Sequence, residues 1–259
     1  MSSPGDHRAF NRVPEVTVAF WLIKVMAVTM GETAADYLAV NLGLGLTATS
    51  LIMTGILVVA LVLQFAQKRY VPWAYWLAVV LISIVGTLVT DNLVDNFGVR
   101  LETTTIAFSI ALALTFIAWY ANEKTLSIHT IFTTRREIFY WLAILFTFSL
   151  GTAAGDLVAE RFDMGYLPTG LIFGGVIGII ALAYYAFGLN GILAFWLAYI
   201  LTRPLGASFG DLLSQPVEYG GLGFGTTFTS LIFLGCIVAI VLYMTLRGLF
   251  DEDDELVVR

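Results

Sequence analysis

The sequence predicts an all-α polytopic membrane protein, with eight transmembrane helices arranged as four pseudo-equivalent hairpins made by duplicated pairs. Three observations lead there. The 259 residues are 59% hydrophobic and 12% charged, about half the charged share of a soluble domain. The apolar residues fall in runs such as Leu51 to Phe65 and Leu171 to Phe187. At ~1.5 Å per residue, such runs cross a hydrocarbon layer of ~30 Å. Finally, one phrase recurs four times along the chain.

The first dozen residues are polar and lack the apolar stretch of a signal peptide. Span 1 (16–42) carries Lys24, Glu32 and Asp36, and span 2 (46–67) opens with threonines, among them Thr49. Span 3 (73–97) carries Asp91 and Asp95, and span 4 (103–122) begins at Thr104. Span 5 (137–161) carries Asp156 and Glu160, and span 6 (166–188) holds Thr169. Span 7 (191–213) carries Arg203, Pro204 and Asp211, and span 8 (226–247) holds Thr229. The division is thus a tail (1–13), a first membrane half (14–122), a linker (123–136), a second half (137–247) and an acidic tail (248–259). Nine of the thirteen Lys and Arg fall on the side of the termini, two (Arg100 and Arg161) on the other, and Lys24 and Arg203 lie within spans. Basic residues collect on the cytoplasmic side, so both termini are expected there.

The repeat reads aromatic-Trp-Leu, eight residues, Gly, four residues, Asp. It starts at Ala19, Ala74, Phe139 and Ala194. Its tryptophans are Trp21, Trp76, Trp141 and Trp196, its glycines Gly31, Gly86, Gly151 and Gly206, its aspartates Asp36, Asp91, Asp156 and Asp211. Each unit holds two spans, so successive units enter the membrane in the same sense and are related by rotation about its normal. In these features the chain resembles a family of bacterial membrane proteins described by a two-helix repeat of unknown function, four per chain, with a characteristic tryptophan. The resemblance implies a bacterial inner-membrane location and an eight-helix architecture, and no activity.

Function must then come from the repeated positions. The tryptophans, at the cytoplasmic start of each odd span, suit the headgroup layer, where indole meets both lipid and water. The glycines suit close helix crossings. The aspartates are the expensive feature, since an ionised Asp at the bilayer centre costs about 2.5–3.5 kcal/mol. They lie fifteen residues beyond the tryptophans, ~22 Å along the helix, in the outer half. Helical spacing adds Glu32, Asp95 and Glu160 as auxiliaries. Thr49, Thr104, Thr169 and Thr229 come back to the same depth and offer neutral oxygen.

Two readings compete for the acids: each caps its own hairpin, or all converge on a cavity that binds a cation. Lys24 and Arg203 are either structural ion pairs or tethered charges that a cation displaces, and Pro204 predicts a kink. No span carries a histidine, and Cys236 is alone, which excludes intramembrane haem ligation by histidine and multi-cysteine metal sites. Oxygen ligands suit hard cations. The expectation is therefore a transporter of a hard cation, with Mn2+ among the divalent candidates and protons as counter-ion, and neither an enzyme nor a cofactor protein. The partners expected are the lipid bilayer, an inorganic cation and a second copy of the chain, without nucleic acid. The alternatives are a non-transporting scaffold or sensor, and an intramembrane aspartyl protease. Gly155-Asp156 and Gly210-Asp211 match part of the protease Gly-x-Gly-Asp element, but Ala153 and Ser208 stand where its first Gly belongs.

Overall fold

The computed structural model describes residues 11–257. The tail up to Phe10, with His7 and Arg8, and the terminal Arg259 lie outside them. The eight helices are α1 (Val18–Asp36), α2 (Leu46–Phe65), α3 (Pro72–Asp91), α4 (Leu101–Glu123), α5 (Thr134–Asp156), α6 (Tyr166–Phe187), α7 (Gly191–Ser214) and α8 (Thr226–Val257). All are long and apolar enough to cross a membrane, so this is a multi-pass membrane protein. α8 continues as helix through the acidic run 251–255.

The odd helices form an inner ring in which α1, α3, α5 and α7 each pack against the next, and α7 closes on α1. The even helices lie outside and are far barer. Each even helix packs mainly on the odd helix of the following unit: α2 on α3, α4 on α5, α6 on α7, and α8 on α1. The sequence hairpins are therefore splayed, and every unit is completed by its neighbour.

The repeated glycines close the ring. A Cβ added at Gly31 would meet Ser83, at Gly86 Phe148, at Gly151 Arg203, and at Gly206 Val28, each within 3.0 Å. In every case the opposing residue stands three positions before the glycine of the next inner helix. Absence of a side chain is what lets adjacent backbones approach. α7 runs unbroken through Pro204, so the proline does not end the helix; its ring lies against Gly151 and Gly155 of α5.

Toward the termini the ring is filled with aromatic side chains. The residues before the tryptophans, Phe20, Tyr75, Tyr140 and Phe195, are buried, with Tyr75 and Tyr140 sharing a 2.5 Å hydroxyl contact. Here the headgroup-anchor expectation is corrected. Trp76, Trp141 and Trp196 are buried, and Trp21 is half-buried. Their N–H groups donate within the protein, Trp76 to the Tyr70 hydroxyl, Trp141 to Glu137, and Trp196 to the Leu126 carbonyl. A buried indole needs such a partner, and it comes here from the preceding unit, from the tryptophan's own helix and from the linker respectively. Burial raises the Tyr70 hydroxyl pKa above its ordinary value, opposed by the bond from Trp76.

Residues 11–13, expected as tail, close this end. Asn11 bonds to Val13, Ile128, Ile131 and the Tyr70 amide. Arg12 pairs with the buried Glu137 at 2.6 Å, which also accepts from Gln64.

Gly86→Ala forces its methyl to 2.8 Å from the Phe148 Cβ and should destabilise by about 1–3 kcal/mol, seen as a lower thermal midpoint in detergent. Gly175→Ala, whose methyl meets open space, should leave the midpoint unchanged.

Candidate functional site

The site is built on the inner ring, one turn beyond the glycines. The residues directly after them are Glu32, Thr87, Thr152 and Ala207, all buried. Arg203 of α7, fully buried, reaches this layer from one turn below. Its Nη2 pairs with Glu32 Oε2 at 2.8 Å and donates to Thr152 Oγ1 at 2.8 Å and to Thr87 Oγ1. Nη1 donates to the Val28 carbonyl at 3.2 Å, and Nε to the Phe148 carbonyl at 3.4 Å. Thr87 also bonds Glu32 at 3.0 Å. One guanidinium thus touches α1, α3 and α5 from its place on α7. It sits where the four inner helices meet, and its pairing with Glu32 crosses between helices. Asp211, eight residues on in its own helix, is ~12 Å away along the axis.

Lys24 does not snorkel to the surface. It is fully buried, with Nζ 3.1 Å from Thr202 Oγ1 and over the rings of Phe148 (4.5 Å) and Tyr199 (4.2 Å). Together with Arg203 it seals the axis below the Glu32 layer.

Above that layer stand the aspartates. Asp36, Asp91, Asp156 and Asp211 are half-buried, and Glu32 acts electrostatically on all four. Glu160 acts on Asp36, Asp156 and Asp211, and Asp95 on Asp36 and Asp91. Seven carboxylates therefore gather at the end of the ring away from the termini, with Glu32 as the floor and the exposed Asp95 and Glu160 as the rim. The capping alternative finds no support in the hydrogen bonds: none of Asp36, Asp91 and Asp156 makes a side-chain cap bond where its helix changes pitch. Asp36 instead accepts from Gln215, just past the end of α7, at 3.3 Å. Among the described residues no group of three or more His, Cys, Asp or Glu is drawn together closely enough to hold a metal ion. The carboxylates stand near enough to act on one another, but no three of them meet at one point.

Immediately after the aspartate in three units the helix widens into a π turn, at Tyr37–Asn41, Asn92–Asn96 and Leu157–Arg161. Turns of this kind are rare and concentrate at functional sites. The wider turn also explains why Asp95 and Glu160 sit at the rim and not directly over Asp91 and Asp156. In unit four Pro216 follows, α7 stops at Ser214, and a short 3-10 turn, Val217–Tyr219, takes its place.

The structure places the expected neutral ligands in the first turn of each outer helix. The hydroxyls of Thr49, Thr104, Thr169 and Thr229 are buried and each donates to the carbonyl four residues back, those of Gly45, Arg100, Gly165 and Gly225. That bond uses the one hydroxyl proton and leaves the oxygen lone pairs. Tyr166 was not anticipated; Asp211, Glu160, Asp156 and Asp36 all act on it. Thr87 and Thr152 stand directly after the glycine, the place of Glu32 in unit one, and that equivalence is visible in the sequence.

A family model, Repeat of Unknown Function (DUF347), matches at residues 19–70, 74–125, 139–189 and 194–248. The chain belongs to the DUF347 repeat family. The four matches coincide with the four units of the ring, so each DUF347 repeat contributes one inner helix, one aspartate and one outer helix. No curated protein and no solved structure matches the chain.

Glu32→Gln would leave the buried guanidinium without its counter-charge, a loss of about 3–5 kcal/mol. Its thermal midpoint should fall well below that of wild type. The double variant Glu32→Gln with Arg203→Met should recover most of the difference, because no lone charge is left inside.

Proposed function

We propose that this protein transports a hard cation, with the region among these acids acting as a wet chamber and binding vestibule, and with protons as the exchanged ion. The observation that carries the reading is the Arg203–Glu32 pair at the chamber floor. A cation descending past Asp36, Asp91, Asp156 and Asp211 finds Glu32 already neutralised by a tethered positive charge. Binding there requires displacing the guanidinium, which is a natural trigger for opening the sealed axis. Like charges within several ångströms favour a bound cation or bound protons, so the two compete for the same oxygens. That competition is the chemical basis of antiport.

The donor set is oxygen alone, which favours Na+, Mg2+, Ca2+ or Mn2+ over zinc or copper. The spacing of the carboxylates suits an ion that keeps part of its water shell, as a transported ion must if it is to leave again. The excess of basic residues at the termini side makes that side cytoplasmic, and the chamber then opens outward, toward the medium into which an exporter would discharge.

The test is flux into proteoliposomes across a panel of Na+, Mg2+, Ca2+ and Mn2+ under an imposed pH gradient. Wild type should carry at least one of them, and Asp156→Asn should slow it by about tenfold or more. Unchanged flux in Asp156→Asn would remove the chamber from the pathway. No flux of any ion would leave the scaffold reading in its place.

A further inference from the structure

Resting on the transporter reading, a second group on the axis has a role of its own. Lys24 is buried without a carboxylate partner; its amine meets a hydroxyl and two aromatic faces. The sealed part of the axis thus holds two bases, Lys24 and Arg203, against one acid, Glu32. Arg203 is the charged group that acts on Lys24. Tyr199 of α7 is the other ionisable side chain against it, and α5 contributes the Phe148 ring. Among the described residues nothing ionisable on α3 or α8 acts on the amine.

Two further observations bear on this position. The Tyr199 hydroxyl is buried without a hydrogen-bond partner, as is Thr147 Oγ1, the α5 counterpart of the Thr202 hydroxyl that holds Lys24. A cleft of about 840 Å³ lined by α1, α6 and α7 rises from Ser127, His129 and Asn190 at the termini end to Trp21 and Ala198. Those residues lie three and four positions before Lys24 and Thr202, one helical turn. The amine therefore lies about one turn beyond the head of this cleft, on the way to the Glu32 layer.

We propose that Lys24 carries the proton that exchanges for the cation, and that Arg203 makes the two occupancies mutually exclusive. When a cation takes the Glu32 carboxylate, the guanidinium loses its counter-charge and stands as a bare positive charge beside the Lys24 ammonium. One N–H bond of the ammonium then breaks. Its electron pair stays on nitrogen, and the proton passes to water at the head of the α1–α7 cleft. When the cation leaves, Arg203 returns to Glu32 and the amine takes a proton back. One positive charge leaves the axis for each cation that enters it.

The test counts protons. Calorimetric titration of the purified full chain with Mn2+, in buffers of different ionisation enthalpy, gives the protons released per ion bound. Lys24→Met and Lys24→Arg should each release about one proton fewer than wild type, because neither side chain can give one up. Lys68→Met, in the loop before α3, should match wild type. If Lys24→Met does not fold, Lys24→Arg decides alone, since it keeps the charge that a purely structural role would need. A wild-type proton count in Lys24→Arg would overturn the assignment while leaving the chamber intact. If wild type binds neither Mn2+ nor any other ion of the panel, the transporter reading falls, and this inference falls with it.

Discussion

A guanidinium placed where four helices meet dictates most of what surrounds it. Removed from water, Arg203 must find partners for its donors, and it finds them on three other helices at once. Those partners come within reach only because each inner helix presents a glycine to the next. The close ring and the central charge thus depend on each other. Side chains at the glycine positions would push the helices apart, and without the charge the hydroxyls of Thr87 and Thr152 would lose their main ligand.

The backbone is close to fourfold, and the side chains are not. Three residues before the glycine stand Val28, Ser83, Phe148 and Arg203; directly after it stand Glu32, Thr87, Thr152 and Ala207. One unit supplies the acid, two supply hydroxyls and the fourth supplies the base. Duplication gave four equivalent places around an axis, and divergence turned them into the complementary parts of one network. The aspartate level, by contrast, stays the same in all four units. Symmetry is kept among the half-buried aspartates and broken in the buried layer below them.

Much of this was legible in the chain. Run length and the fourfold phrase identify the helices, their number and the crossing glycines, because these depend on local pattern and on close packing alone. What escaped depends on which helix neighbours which. Trp76, Trp141 and Trp196 carry the signature of an interfacial belt, and only the aromatic layer around them reveals an interior role. Arg203 and Lys24 are visible in the sequence as embedded charges, but which helix answers each is not. The partner is on another helix in one case, and no acid serves in the other. The π turns leave no pattern that periodicity can detect, since a single wide turn shifts the register only locally.

The way outer helices are lent to the next unit has a consequence for how the protein is made. As the chain emerges, α2, α4 and α6 each find their seat on the odd helix that follows, so three of the four seats fill in order of synthesis. The seat on α1 waits for α8, the last segment to arrive. The first helix, which bears both Lys24 and Glu32, therefore stays without its cover until α8 is made. Until then the insertion machinery or surrounding lipid must shield it, and a chain lacking α8 would leave the circle open.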